Sequence, residues 1–449
     1  QEPLKKIYLM KTRILIATLL FIAMWRMDGA AKTPEQSVIG PSGLEVGEVV
    51  SSFPVGFDLM MAGGKQFVAF YDANRQMTVA VRNINSKKWK YRKLDSFIGW
   101  DSHNYITMTT DKEGYIHLSG NMHNDTLVYF RSEKPYDIRS LKRIPAMTGD
   151  DEYRVTYPAF MRDRDDNLIF HYRSGGSGDG YELYNIYDQK TRTWKRLING
   201  ALINGRSDNS TMSAYMSGPV LGPDGVFHLI WVWRNTGDCS SNHTLSYAKS
   251  PDLIHWESIR GEPVELPITL QDSVLYVDPT PVKGGLFNPG IKIGFDSQKR
   301  IIIGYHKFDP EGNNQLYIAR FENNDWRLAQ ITDWKHRWYF SGYGSMPANI
   351  WIAAPYVIGD GKLAFAYKHY KEGEGDLLID ENTLKIVGQR PTKETIPAHF
   401  LKPTSGYPNM QVRTLVRNGY LLRWETMPVN QDRKPTADTP PTKLVLYKL

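Results

Sequence analysis

Residues 163–194 read DRDDNLIFHYRSGGSGDGYELYNIYDQKTRTW. A polar turn (163–167) opens a run rich in aliphatic and aromatic residues (168–173). A second aromatic-rich run follows at 181–187, and Trp194 stands beyond one more polar turn. Short runs of this composition, bounded by Asp, Asn and Gly, are the signature of strands joined by tight turns. The same pattern recurs along the chain. Turns at 63–65, 111–114, 223–225, 296–299, 359–361 and 418–419 each open a pair of such runs. The pairs are 66–71 with 77–82, 115–120 with 126–131, 226–233 with 244–248, 300–306 with 315–321, 362–367 with 375–379, and 420–424 with 443–447. Trp89, Trp256 and Trp326 fall where Trp194 does.

With the opening stretch this makes seven copies. A strand pair that buries only one face needs neighbours to stack on, and a ring of four-stranded blades supplies them without a long open edge. The expectation is an all-β, seven-bladed β-propeller over residues 32–449, with residues 44–50 completing the last blade. A pair of β-sandwiches is the competing architecture; a β-helix would need a shorter repeat.

The 449 residues are 41% hydrophobic and 12% aromatic, enough for a large core. The formal net charge is +7. No basic run exceeds pairs such as Lys5-Lys6 and Lys87-Lys88, so no nucleic-acid partner is expected, and the excess fits an acidic polysaccharide or oligosaccharide. A short basic region at 10–13 precedes an apolar stretch (14–24) and the small residues Gly29-Ala30-Ala31. This predicts a signal peptide over 1–31, starting in effect at Met10, and a secreted or periplasmic monomer without a membrane span; a short membrane anchor is the alternative. The single cysteine, Cys239, excludes an internal disulfide.

Long inserts at 199–218, 261–290 and 333–354 interrupt the repeat, and long loops on one face of a scaffold commonly build its binding surface. The last contains Trp334-Lys335-His336-Arg337-Trp338-Tyr339-Phe340. Aromatic rings match the C–H faces of sugars and guanidinium groups match carboxylates, so Arg337 and Trp338 are candidate substrate contacts; a packed inter-blade loop is the competing reading.

Four polar residues hold equivalent places in adjacent repeats: His103 and Tyr157 just before a repeat, His123 and Arg173 after its first strand. Arg with His can neutralise a carboxylate, and His with Tyr can move protons. That set suits β-elimination at a uronic acid, where a base removes the C5 proton and an acid protonates the leaving oxygen on C4. Asn104, beside His103, is a further substrate contact. Gly175, Gly176 and Gly178 would let a glycan approach closely. No cofactor is required. Asp101, Asp125, Asp179 and Asp278 offer carboxylates for ordinary glycoside hydrolysis, but no spacing singles out a pair. A sialidase-like turn is not found. Cys239, His243 and His306 could hold a structural metal ion, or be a buried thiol and two structural histidines.

The chain resembles the BNR-4 type of seven-bladed propellers, which includes ulvan lyases and related α-L-rhamnosidases acting on rhamnose–glucuronate caps. The resemblance is carried by Val55-Gly56-Phe57, Phe70-Tyr71-Asp72-Ala73, Asp101-Ser102-His103-Asn104, Thr156-Tyr157-Pro158, Tyr172-Arg173-Ser174-Gly175, residues 242–253, Tyr305-His306-Lys307 and Arg337-Trp338-Tyr339-Phe340. Its lyases space two His by about twenty residues and a Tyr and Arg by sixteen, as His103 with His123 and Tyr157 with Arg173 are spaced here. The resemblance implies that His103 and Tyr157 serve as base and acid, in unassigned order, and that His123 and Arg173 neutralise the uronate. The rhamnosidase branch uses a His near the start of the first blade, whereas this chain has Ser51-Ser52-Phe53-Pro54 there. The expected activity is polysaccharide lyase; release of terminal L-rhamnose, or glycan binding without catalysis, are the alternatives.

Overall fold

The computed structural model describes residues 39–40, 43–207 and 210–449; the expected signal peptide lies outside them. Among the described residues every regular element is a strand or a short 3-10 turn. No helix there is long and apolar enough to cross a membrane.

The strands form antiparallel meanders in chain order. The first sheet runs Asp58–Ala62, Lys65–Tyr71, Gln76–Asn83 and Lys90–Phe97. The second runs Ile106–Thr110, Ile116–Gly120, Tyr129–Ser132 and Leu141–Ile144. The third is built on Val155–Arg162, Leu168–Gly176, Asp179–Asp188 and Thr193–Arg196. The fourth runs Ser213–Leu221, Phe227–Arg234, Asn242–Ser250 and Tyr276–Asp278. A nine-stranded sheet then contains two meanders, Ile291–Phe295 through Asp325–Gln330 and Tyr356–Gly359 through Ile386–Arg390. They meet at one parallel pair, Phe295 with Tyr356. In the last sheet Gln411–Arg417, Tyr420–Thr426 and Thr442–Lys448 are joined by Leu44–Val49 from the other end of the chain, in register from Leu44↔Leu446 to Val49↔Thr442. The paired runs read from the sequence are the middle strands of these meanders, and the extended stretch near residue 44 pairs where it was expected.

The turns explain the recurring Asp. Asp111 Oδ1 accepts from the backbone N–H groups of Glu113 and Tyr115, Asp163 Oδ1 from Asp165 and Asn167, and Asp296 Oδ1 from Gln298 and Arg300. The residue three past each Asp takes a positive φ: Gly114, Asp166 and Lys299. A carboxylate thus holds the loop while one residue supplies the left-handed step.

Burial follows position in the meander. Phe227–Arg234 is buried throughout, because sheets pack on both of its faces, whereas the fourth strand Lys90–Phe97 is exposed at most positions. Neighbouring sheets are pinned by specific pairs. Phe57 stacks on Trp424 at 4.7 Å. Asp58 takes the Arg417 guanidinium at 2.8 Å and the Met108 N–H at 2.7 Å, so one carboxylate joins three sheets. All three inserts hold regular structure that the sequence reading missed: Ser213–Leu221 begins inside the first, Tyr276–Asp278 lies inside the second, and Ile350–Ile352 lies inside the third.

Candidate active site

His103 immediately precedes the second sheet. His123 opens the three-residue strand His123–Asp125, which leaves that sheet to pair with Val155–Arg162, setting His123 opposite Thr156. Thr156 in turn lies opposite Arg173. Between Thr156 and Ala159 the register slips. Pro158 has no N–H for the ladder, and Tyr157 takes φ 54°, so the bulge re-aims the Tyr157 side chain. Thr156 Oγ1 donates to Gly175 O and accepts from Asn124 N, fixing the bulge between two loops. The fold therefore brings His103, His123, Tyr157 and Arg173 together.

Asp101 organises the histidines. Its Oδ1 is 2.7 Å from His103 Nδ1 and its Oδ2 is 2.6 Å from His123 Nδ1. The two rings stack at 4.4 Å, and Tyr157 lies 6.0 Å from the first and 5.6 Å from the second. Asp432 adds a second carboxylate 3.3 Å from His103 Nδ1. Burial pulls the His103 imidazolium down, but hydrogen bonds and charge from Asp101 and Asp432 outweigh it and raise its pKa to about 9. Asp432, despite burial, is brought to about 2 by His103, and Asp101 falls well below the usual carboxylate range. His103 is thus a cation at neutral pH with Nδ1 held by carboxylates. His123 Nε2 is buried and has no partner among the described residues.

Arg173 is 2% exposed. Its Nε donates to Glu182 Oε1 at 2.9 Å and one terminal nitrogen to Ala214 O, while Nη1 is buried without a partner among the described residues. Glu182 also takes His171 Nε2 at 3.0 Å. The guanidinium carbon lies 5.1 Å from the Tyr157 ring and 4.3 Å from the Tyr215 ring. Arg234 approaches Tyr215 at 4.9 Å. Burial pushes the Tyr215 phenol up, but the charges of Arg173 and Arg234 outweigh it and bring it below its ordinary value. Tyr157 goes the other way: burial and the neighbouring Tyr215 push it up against the pull of Arg173. Two buried nitrogens without partners among the described residues, His123 Nε2 and Arg173 Nη1, therefore belong to side chains that both lie against Tyr157. A buried polar group left unpaired is costly and calls for a ligand.

Other expectations fare differently. Asn104 is buried; it donates to Asn121 Oδ1 at 3.3 Å, and its own Oδ1 has no partner among the described residues. Two of the three glycines, Gly175 and Gly178, do not clear a path for glycan. A Cβ on Gly175 would stand 2.1 Å from Asp179 O, and one on Gly178 2.4 Å from Thr236 Cα, so they admit the protein's own loops. Trp338 is 5% exposed and packs on Phe287 and Phe340 at 5.0 and 4.9 Å, which corrects its assignment as a substrate contact to a core residue. Arg337 is exposed, its guanidinium stacked between Phe308 and Tyr339 at 4.2 and 4.5 Å beside a cleft of ≈ 220 Å³. Phe53 is fully buried, edge-on to Trp100 at 6.0 Å, so that position belongs to the core.

Cys239, His243 and His306 are not brought together. Among the described residues, the one group of three such side chains with ligand atoms within 4.8 Å of one another is Asp101, His103 and His123. Cys239 Sγ contacts Met346 Sδ, and both His243 nitrogens are engaged, by Asn235 and Thr244. His306 is fully buried, and burial lowers its pKa to about 4. The sequence reading missed Glu182, Tyr215, Arg234 and Asp432. Tyr215 sits in a stretch read as an insert, and Asp432 reaches the site from the last sheet with no local motif around it.

The fold and this cluster define an all-β repeat protein with a His–Tyr–Arg cluster between adjacent sheets. The chain belongs to the BNR repeat-containing family, which it matches over residues 65–334. A long-isoform ulvan lyase of Pseudoalteromonas sp. (strain PLSV) is 26% identical over 145 residues, 30% of this chain and 14% of the relative. The long-isoform ulvan lyase of Glaciecola sp. (strain KUL10) is 34% identical over 70 residues, 14% of this chain and 6% of the relative. The chain thus matches only a small part of these longer proteins. Two solved structures share the fold. The polysaccharide lyase Uly1 has TM-score 0.54 at 14% identity, covering 88% of this chain and 90% of its own. A PL25 ulvan lyase has TM-score 0.56 at 13% identity, covering 89% and 95%.

Proposed function

We propose that the sheets close as seven blades and that the protein is an exported polysaccharide lyase, cleaving a uronate-bearing glycan by β-elimination. The observation that carries this is the pair of buried, unpartnered nitrogens, His123 Nε2 and Arg173 Nη1, on side chains that lie against Tyr157. A uronate carboxylate would accept from Arg173 Nη1 with His123 Nε2 beside it. Neutralising that carboxylate acidifies the C5 proton.

The electrostatics order the remaining roles. His103 is already protonated at neutral pH, so it is the acid that gives a proton to the C4 oxygen. Tyr157 is then the base. Burial pushes its phenol up, so it takes the proton as a phenolate, a form that the Arg173 guanidinium against its ring favours. The C5 proton passes to the Tyr157 phenolate, the C4–O bond breaks as His103 gives its proton to the C4 oxygen, and a C4=C5 double bond forms. Asn104 and Arg337 contact flanking sugars, and the chemistry requires no metal or other cofactor. The named activity of the ulvan lyases supports trying ulvan first.

Incubation with ulvan, and with other uronate polymers in parallel, should raise the ultraviolet absorbance of an unsaturated uronate. Product masses should equal the polymer repeat without added water. Products carrying one added water would replace elimination with hydrolysis. Binding without any cleavage would leave a glycan-binding protein.

A further inference from the structure

Residues 87–93 read Lys-Lys-Trp-Lys-Tyr-Arg-Lys, five cations in seven positions. The segment leads into Lys90–Phe97, the exposed fourth strand of the first sheet. Across from it stands the 134–139 segment of the second sheet. Between them lies a groove of ≈ 650 Å³ whose lining includes Lys65, Arg82, Lys88, Lys90, Lys134 and Arg139. Asp137 is the carboxylate among the lining residues, and Arg139 already holds it at 3.0 Å. Lys65 donates to Tyr136 O, and Arg82 to Ile84 O and Ser86 O. Lys88, Lys90 and Lys134 are exposed and carry no ion pair among the described residues. Lysines on an outer strand can simply blunt a sheet edge. Here a second sheet contributes cations to the same groove, which edge protection does not require.

The groove lies at the far end of the sheets from His103. Tyr136 N–H donates to Gly114 O in the turn after Ile106–Thr110, and the Tyr136 ring covers Gly63 in the turn after Asp58–Ala62. His103 and His123 flank the opposite ends of Ile106–Thr110 and Ile116–Gly120. A five-residue strand, about 17 Å at ~3.3 Å per residue, separates the two places.

We infer that this groove is a second, non-catalytic binding site for an acidic polysaccharide, holding a uronate polymer by its carboxylates while another stretch of polymer reaches the His103 site. The identity of the glycan rests on the function proposed above; the groove itself does not. Free ammonium groups along a concave surface attract a polyanion and concentrate it locally. A single-stranded nucleic acid would want open aromatic faces to stack on, but the Tyr136 ring is pinned over Gly63 and Gly114. A membrane surface would want exposed apolar side chains to insert, and the groove is recessed between two sheets.

The test uses the full chain and the triple variant Lys88→Glu, Lys90→Glu, Lys134→Glu, three exposed positions. Affinity electrophoresis through gels containing polygalacturonate measures binding without needing turnover. Wild type should be retarded, the triple variant at least tenfold less so, and added salt should abolish the difference. Turnover of short acidic oligosaccharides should be unchanged in the variant. Equal retardation of the two proteins overturns the inference. So does tighter binding of wild type to single-stranded DNA or to phosphatidylserine–phosphatidylcholine vesicles than to the polysaccharide. Retardation that depends on the three lysines in a protein that forms no unsaturated product keeps the groove and discards the lyase reading.

Discussion

The Asp432 carboxylate stands 3.3 Å from His103 Nδ1, joining the loop of the last sheet to the start of the second. Asp432 also accepts from Ser102 and from Ser345, so it ties three separated loops to one imidazole. Asp432→Asn keeps the shape and removes the charge. The variant should fold, and its His103 should titrate below about 9, toward the ordinary value near ~6.5. If His103 is the acid, the basic limb of the pH–rate profile moves to lower pH with it. Nitrogen-15 titration of the imidazole reads the first effect and a pH–rate series the second. An unmoved imidazole titration would remove Asp432 from this role.

The same contacts set how stability depends on pH. His103 has a raised folded pKa, so its contribution is complete below the unfolded value of ~6.5 and is lost as pH rises through about 9. Asp101 and Asp432 are depressed, so theirs is complete above the unfolded value of ~3.9 and is lost as pH falls through the folded ones, about 2 for Asp432. The cluster should therefore stabilise most between about pH 4 and 6.5. Denaturant unfolding at pH 6 and pH 9.5 should differ by on the order of 1–3 kcal/mol in wild type and by clearly less in His103→Gln. Equal differences in the two proteins would rule out His103 as the source.

Glu182 is the counter-charge that makes a buried Arg173 tolerable, and it does so while also holding His171. Glu182→Gln leaves a buried guanidinium without its carboxylate, a change that typically costs about 3–5 kcal/mol. Thermal unfolding should show a large drop in the midpoint. Arg173→Lys keeps a cation but loses the guanidinium geometry, so it should retain more stability than Glu182→Gln while lowering kcat/KM at least a hundredfold. A stable Glu182→Gln protein would contradict the first half, and a fully active Arg173→Lys protein the second.

The repeat was legible because turn chemistry is local. The carboxylates of Asp111, Asp163 and Asp296 serve backbone groups two and four residues on, so the motif is complete within five residues. The four candidate residues could be picked out because they bracket such turns in pairs, His103 and His123 about Asp111, Tyr157 and Arg173 about Asp163. The residues that tune them were not. Glu182 looks like any strand carboxylate until the neighbouring strand sets Arg173 beside it. Asp432 acquires its role only when the last sheet is placed. Trp338 shows the converse error: an aromatic–cationic run looks like a sugar platform, but alternation sends Trp338 inward and Arg337 outward.

Tyr157 and Tyr215 pack edge to face at 6.2 Å, yet their phenols are pushed in opposite directions. If Tyr157 is the base, Tyr157→Phe should lower kcat by about 10²–10⁴ with unchanged unfolding behaviour. Tyr215→Phe should cost less and shift the acidic limb of the profile, because it removes a phenol that competes with Tyr157 for the field of Arg173 and Arg234. Equal losses in kcat with unmoved limbs would assign both rings to packing.

Arg337 and Trp338 are adjacent in sequence and should part company in experiment. Trp338→Ala removes a ring packed among Phe287, Phe340 and His306, and truncations of this kind cost about 3–5 kcal/mol. Its folded fraction should bind glycan as wild type does. Arg337→Ala removes an exposed guanidinium held between two rings and should leave the unfolding midpoint within about 0.5 kcal/mol of wild type. If the cleft beside it holds a flanking sugar, KM for polymer should rise several-fold at constant kcat, since the contact is made equally in ground and transition states. Loss of glycan affinity in stably folded Trp338→Ala, with none in Arg337→Ala, would return Trp338 to the binding surface.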